Sequence, residues 1–253
     1  MKLSKSEFFD QPEKSISLIG MSGVGKSHTA SQLEKWGWFN YSCDYLIATK
    51  YLADKVEGAV SADDIVNLSE FVGQVGDEAR GGVGLEEFQR RQNMYYDAEV
   101  AVLSDLSDAF DQARADGFTK LINDSSGSLC EVRDASVLEA VGQKTLFVYL
   151  EVDPKDHASI LGRAIAYPKP LYFPPDFFMQ RLNEFQEEYG LGGVEEIDPL
   201  RFLSWVFPHL FTTRLPKYER LSHKYGVTIS AKEFRTLKDE NEFLQIIGDA
   251  LDE

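Results

Sequence analysis

Residues 16–27 read Ile-Ser-Leu-Ile-Gly-Met-Ser-Gly-Val-Gly-Lys-Ser, so Gly20, Gly25, Lys26 and Ser27 fit the pattern GxxxxGKS. The types and their spacing suit the binding of a polyphosphate. Glycines at 20, 23 and 25 let the backbone turn its N–H groups inward and approach phosphate oxygens with no Cβ in the way. A helix opening near Lys26 adds its positive N-terminal end. The lysine supplies a mobile charge for the β- and γ-phosphates, and the Ser27 hydroxyl is a ligand for Mg²⁺. Gly20, Ser22, Gly23, Val24, Gly25, Lys26, Ser27 and His28 are therefore the expected nucleotide-binding segment. A chance glycine-rich turn would not also put an apolar strand before the loop and a helix after it.

Two carboxylates stand just past other apolar runs. Asp44 follows Trp38–Ser42, where it could orient or deprotonate an acceptor hydroxyl, or simply cap the helix that begins there. Asp124 closes Thr119–Asn123 and could hold the Mg²⁺ shell, or make an Asx turn with Ser125–Gly127. Against an acidic background the cations Arg90, Arg91, Arg163, Lys169 and Arg214 stand out. Arg163 lies just before the Pro-rich stretch Tyr167–Pro175 and Lys169 within it, where a closing segment could bring charge onto phosphates. A single surface arginine is more often solvated or salt-bridged. His157, His209 and His223 are scattered and make no metal spacing, and no nucleophile elbow or Cys/His pair is present.

These residues need elements to position them. Strand and helix patterns alternate, which points to a parallel sheet covered on both faces. Strands are expected at Ser15–Ile19, Trp38–Ser42, Thr119–Asn123, Thr145–Glu151 and Val227–Ser230. Helices are expected over Ser27–Trp36, from Asp44 onward, over Leu85–Asp116 as one long element, over 133–141, and over Glu240–Leu251. About seventy-five residues separate the last two strands, far more than a crossover needs. Asp153–Ala166, Pro175–Tyr189 and Asp198–Phe211 look helical in part, and the region is expected to form a lid. In an open parallel sheet ligands bind at the carboxyl ends of strands, so residues 20–28, 41–44 and 123–128 should converge on one cleft.

The 253 residues are expected to form a single domain, and a hydrophobic share of 43% is enough for a packed core. The net charge of −16 argues against a nucleic-acid backbone or an anionic membrane as partner. Only Cys43 and Cys130 are cysteines, without CxxC spacing, which suits a reducing compartment. With no signal peptide or membrane span legible, the cytoplasm is the expected location.

Taken together these motifs resemble the shikimate kinase family of P-loop small-molecule kinases. Residues 16–27 carry the strand and loop, and Ser42-Cys43-Asp44 keeps the second acid of the family's Asp-x-Asp while replacing the first. Ser125-Ser126-Gly127 stands where the family has three glycines. Phe88-Gln89-Arg90-Arg91-Gln92 resembles its Phe-Arg-x-x-Glu helix motif, with the arginine displaced and the glutamate lost. Lys169-Pro170-Leu171-Tyr172 resembles its lid, and Arg214-Leu215-Pro216-Lys217-Tyr218 its Arg-x-Pro-x-Tyr. The likeness spans most of the chain except insertions at about 53–84 and 173–212; with the lid, the second covers 152–212. It implies a three-layer α/β/α sandwich with a five-stranded parallel sheet and an extended helical lid. It implies phosphoryl transfer from ATP with Mg²⁺ to a small, anionic hydroxyl metabolite. Asp44 would face the acceptor hydroxyl, and Arg214 with Arg90, Arg91, Ser126 and Gly127 would hold the acceptor. Ser27 and Asp124 would hold the metal, and Arg163 and Lys169 would close over the phosphates. The eroded acceptor motifs and the insertions leave a second possibility, a nucleotide-dependent switch acting on a protein partner. A nucleotide-binding module without turnover is a third, although a pure binder has no need of an acid facing a hydroxyl.

Overall fold

A computed structural model describes residues 3–56, 65–166 and 171–252, without the side chains of Ile65, Pro154, Leu161 and residues 163–166. In chain order the elements are α1 (Lys5–Asp10), β1 (Lys14–Ile19), α2 (Lys26–Lys35), β2 (Phe39–Ser42), α3 (Cys43–Leu46), α4 (Ile65–Val72), α5 (Leu85–Ser104), α6 (Leu106–Ala115), β3 (Lys120–Asp124), α7 (Ala135–Lys144), β4 (Leu146–Glu151), α8 (His157–Ala166), α9 (Pro175–Tyr189), α10 (Pro199–Tyr225), β5 (Gly226–Ser230), α11 (Ala231–Phe234) and α12 (Glu240–Leu251). A π-helical turn, Ile47–Tyr51, continues α3.

The five strands form one parallel sheet in the order β2-β3-β1-β4-β5, flanked by helices, as the alternating pattern predicts. Parallel strands buried on both faces read as continuous apolar runs, and β3 and β4 do so in Leu121, Ile122 and Phe147–Leu150. The central strand β1 keeps a buried Ser17, whose hydroxyl is shared with Thr145 Oγ1 at 2.8 Å and takes a bond from Asn123 at 2.9 Å. In register, Leu18, Asp124 and Ser42 lie in one row across β1, β3 and β2. This row brings the loop after β1, the acid ending β3 and the turn after β2 to the same edge.

Two expectations of continuity fail in opposite directions. The long helix predicted over Leu85–Asp116 is broken at Asp105, between α5 and α6. The Asp105 carboxylate accepts from Lys50 Nζ at 2.9 Å and Tyr51 Oη at 2.6 Å, while its own backbone still donates to Ala101 and accepts from Ala109 at 3.0 Å, so the two helices meet at a residue tied to the π-helical turn. Conversely, the helix expected to end near Phe211 runs on as α10 to Tyr225, through Pro208 and Pro216. Each proline removes one ladder bond. Offsetting that, α10 buries side chains on two sides. Phe202, Val206 and Leu210 enter an aromatic cluster with Phe88, Phe178 and Phe185. Phe207, Phe211 and Tyr218 join the main core around the sheet.

Candidate functional site

The loop between β1 and α2 has the conformation its glycines predict. Gly20, Gly23 and Gly25 lie at φ 142°, 85° and 115°, a region in which a Cβ is strained. Helix α2 begins at Lys26 directly after Gly25. Lys26 is buried, and its Nζ donates to the carbonyls of Gly20 at 2.7 Å and Met21 at 3.1 Å, which folds the amine back over the loop. The Val24 side chain packs into the core, leaving its backbone to the loop. His28 is exposed at the start of α2.

A cavity of about 140 Å³ is lined by Ser22, Gly23, Gly25, Lys26, Ser27 and His28 together with Asp44, Ser125 and Gly127. The three strand ends therefore converge as the sheet topology requires. Asp44 does not occupy the cap position of α3, which falls to Ser42. Its carboxylate instead accepts a bond from the buried Tyr95 hydroxyl at 3.3 Å. Asp124 is buried at the end of β3, next to Ser125. Gly127 packs against the phosphate loop so closely that a Cβ there would lie 2.2 Å from Ser22 Oγ.

Sequence reasoning missed Glu99. It lies on the buried stripe of α5 with Phe88, Gln92, Tyr95 and Val102, and it is wholly buried. Its Oε1 accepts from Ser126 and from Ser128, the latter at 2.8 Å, and its Oε2 has no partner. Burial pushes the Glu99 carboxyl up to about 7, against the pull of the two serine hydroxyls. A charged residue in a largely apolar helical stripe is the signal that could have found it. The Cys43 thiol is driven well up by burial and by the charges of Asp44, Asp124 and Glu99.

Several expected anchors are not in the cavity. Arg214 is 1% exposed, and its guanidinium is engaged on three sides by its own chain. Nε meets Glu131 at 3.2 Å, Nη1 the Gly127 carbonyl at 2.7 Å and Nη2 the Tyr172 carbonyl at 2.6 Å. Lys217 also pairs with Glu131, and the Tyr218 hydroxyl donates to the Gly127 carbonyl at 2.7 Å. The Arg-x-Pro-x-Tyr motif thus holds the loop after β3 in place. Arg90 and Arg91 both pair with Glu87, and Arg91 also donates to the Phe71 carbonyl at 2.9 Å. Ser126 is turned to Glu99. Arg163 lies on α8 with its side chain outside the described part, and Lys169 lies outside the described residues altogether.

No protein-family model matches this sequence, and no curated protein matches it. Among solved structures the chain is similar to shikimate kinase from Bacteroides thetaiotaomicron, at 14% identity over 94% of each chain with a TM-score of 0.43. It is also similar to shikimate kinase from Acinetobacter baumannii in complex with shikimate, at 17% identity over 95% of this chain and 93% of that one, with a TM-score of 0.40.

Proposed function

We propose that this chain transfers the terminal phosphoryl group of ATP to a hydroxyl of a small molecule. One observation carries the reading: Asp44 lines the same cavity as Lys26 and Ser27. A protein that only bound nucleotide would have no use for a carboxylate there. The loop amides and Lys26 take the β- and γ-phosphates, trading the Gly20 and Met21 carbonyls for phosphate oxygens. Asp44 accepts the proton of the acceptor hydroxyl as its oxygen bonds to the γ-phosphorus and the bond to ADP breaks. Tyr95 holds Asp44 in place for that task.

The donor chemistry fits Mg²⁺. Ser27 lines the cavity and Asp124 ends β3 next to the cavity residue Ser125, two hard oxygen ligands. That suits an ion bound through one or two protein oxygens, phosphates and water. When bound it would neutralise charge on the phosphates.

The test is an ADP-release assay over a panel of hydroxyl compounds. Asp44→Asn should keep ATP affinity and lose about 10²-fold or more in kcat. Full activity in that variant removes Asp44 from the reaction. A second reading, a nucleotide switch acting on a protein, draws support from Arg90, Arg91 and Arg214 being engaged within the chain. It expects ATP hydrolysis indifferent to every small acceptor.

A further inference from the structure

On the phosphotransferase reading, we infer that Cys43 is a positioning residue for Asp44: its thiol ends a buried chain of hydrogen bonds that crosses the sheet, and this chain sets the direction in which the acid meets the cavity. The starting point is an anomaly in the sheet. Parallel strands covered on both faces are normally apolar throughout. Here Ser17 of β1 and Asn123 of β3 are register partners, and both are wholly buried. Buried polar side chains cost stability unless each finds a partner.

These two find partners in a single line. The Thr145 hydroxyl donates to the Val141 carbonyl in the last turn of α7, at 3.0 Å. A hydroxyl carries one proton, so the proton shared by Thr145 and Ser17 across 2.8 Å comes from Ser17. Ser17 in turn accepts from Asn123 Nδ2 at 2.9 Å. Asn123 Oδ1 is left facing the other way, and Cys43 Sγ donates to it at 3.1 Å. The four bonds therefore run in one sense, from α3 through β3 and β1 to the end of α7. A buried network in which every member is satisfied fixes one arrangement.

The line ends beside the chemistry. Cys43 opens α3, and the next residue, Asp44, lines the cavity with Lys26 and Ser27. The chain pins the first residue of α3 to the middle of the sheet, while Tyr95 holds the carboxylate itself. The Ser126 backbone N–H acts on the same sulfur, from a loop whose Ser125 and Gly127 line the cavity. The thiol thus lies between the acid and the loop after β3. Burial and the carboxylates around it drive the thiol up, so it keeps its proton and remains a donor. A base set slightly off the line of transfer loses far more in rate than in binding.

The experiment measures ADP release by the full chain with ATP, Mg²⁺ and the best acceptor from a panel of hydroxyl compounds. Cys43→Ala removes the donor and should lower kcat by about tenfold while ATP-analogue affinity holds. Cys43→Ser restores a donor and should recover most of that loss. Thr145→Val keeps its shape but cuts the far end of the chain, away from the cavity, and should lower kcat by about threefold. In an Asp44→Asn background Cys43→Ala should cost nothing further, because the thiol acts through the acid. Thermal melts check that each variant is folded at the assay temperature. Should Cys43→Ala not fold, Thr145→Val, alone and with Asp44→Asn, decides by the same criterion. An unchanged kcat in the folded variant, an equal loss in Cys43→Ser, or a loss that persists beside Asp44→Asn overturns the inference and leaves the phosphotransferase reading intact. ATP binding without ADP release for any acceptor overturns both.

Discussion

Lys26, which lines the phosphate cavity, and Glu99, on the buried face of α5, are both buried ionisable groups, and burial acts on them differently. Lys26 is satisfied by loop carbonyls that a polyphosphate can replace. Lys26→Ala should therefore abolish measurable ATP-analogue binding in calorimetry; undiminished affinity would mean that phosphates do not bind this loop. Glu99 pays a desolvation penalty when ionised, which raises its carboxyl from an ordinary 4.5 to about 7. Between those values the folded chain holds a proton that the unfolded chain has released. Stability contributed by this group is thus present below pH 4.5 and declines as the pH rises towards 7. At 1.36 kcal/mol per unit the loss is on the order of 3 kcal/mol. Glu99→Gln should remove that dependence, so denaturant melts should show the variant gaining on wild type at pH 8 and converging with it near pH 5. Parallel curves at both values would mean that Glu99 is not titrating in this window.

The elements show where reading along the chain succeeds. β1, the loop, α2 and β3 were legible because their signals are local: an apolar run, glycines at set intervals, an acid at a strand end. The extent of α10 and the break at Asp105 were not. One goes with aromatic burial on two sides of a helix containing prolines, the other falls at a residue bonded to Lys50 and Tyr51, more than fifty residues away. The same distinction divides the site. Ser27 and Asp44 could be placed by spacing, whereas the partners of Arg214 come from two distant segments, Gly127 and Glu131 after β3 and Tyr172 before α9. The loop after β3 is held by such distant contacts. Its Gly127 touches Ser22 of the phosphate loop on one side and receives Arg214 and Tyr218 on the other. Gly127→Ala would put a methyl group 2.2 Å from Ser22 Oγ and 2.9 Å from its backbone nitrogen, so the loop must shift. Overpacking of this kind costs about 1–3 kcal/mol. A shift of that sort in the phosphate cradle should weaken ATP-analogue binding by about tenfold or more. Unaltered affinity would show that the two loops move independently.

Across the whole molecule, burial divides into the core around the sheet and the aromatic cluster between α5, α9 and α10. Helix α10 belongs to both, through Phe207 and Phe211 on one side and Phe202 and Val206 on the other. Among the described residues no helix is long and apolar enough to cross a membrane. The cluster contributes no residue to the phosphate cavity. It can therefore be weakened without touching the chemistry. Phe185 packs against Tyr189 at 4.6 Å, Phe202 at 5.2 Å and Trp205 at 5.4 Å between ring centroids. Phe185→Ala should cost about 3–5 kcal/mol of stability. Stabilisation by a ligand depends only on its concentration relative to Kd, about 2.7 kcal/mol at a hundredfold excess. The increment gained from an ATP analogue should accordingly be the same in Phe185→Ala as in wild type, while in Gly127→Ala it should fall. Melts of the three proteins with and without the analogue separate the cases. A reduced increment in Phe185→Ala would mean that the aromatic cluster, acting through α10 and Arg214, props the phosphate loop from a distance.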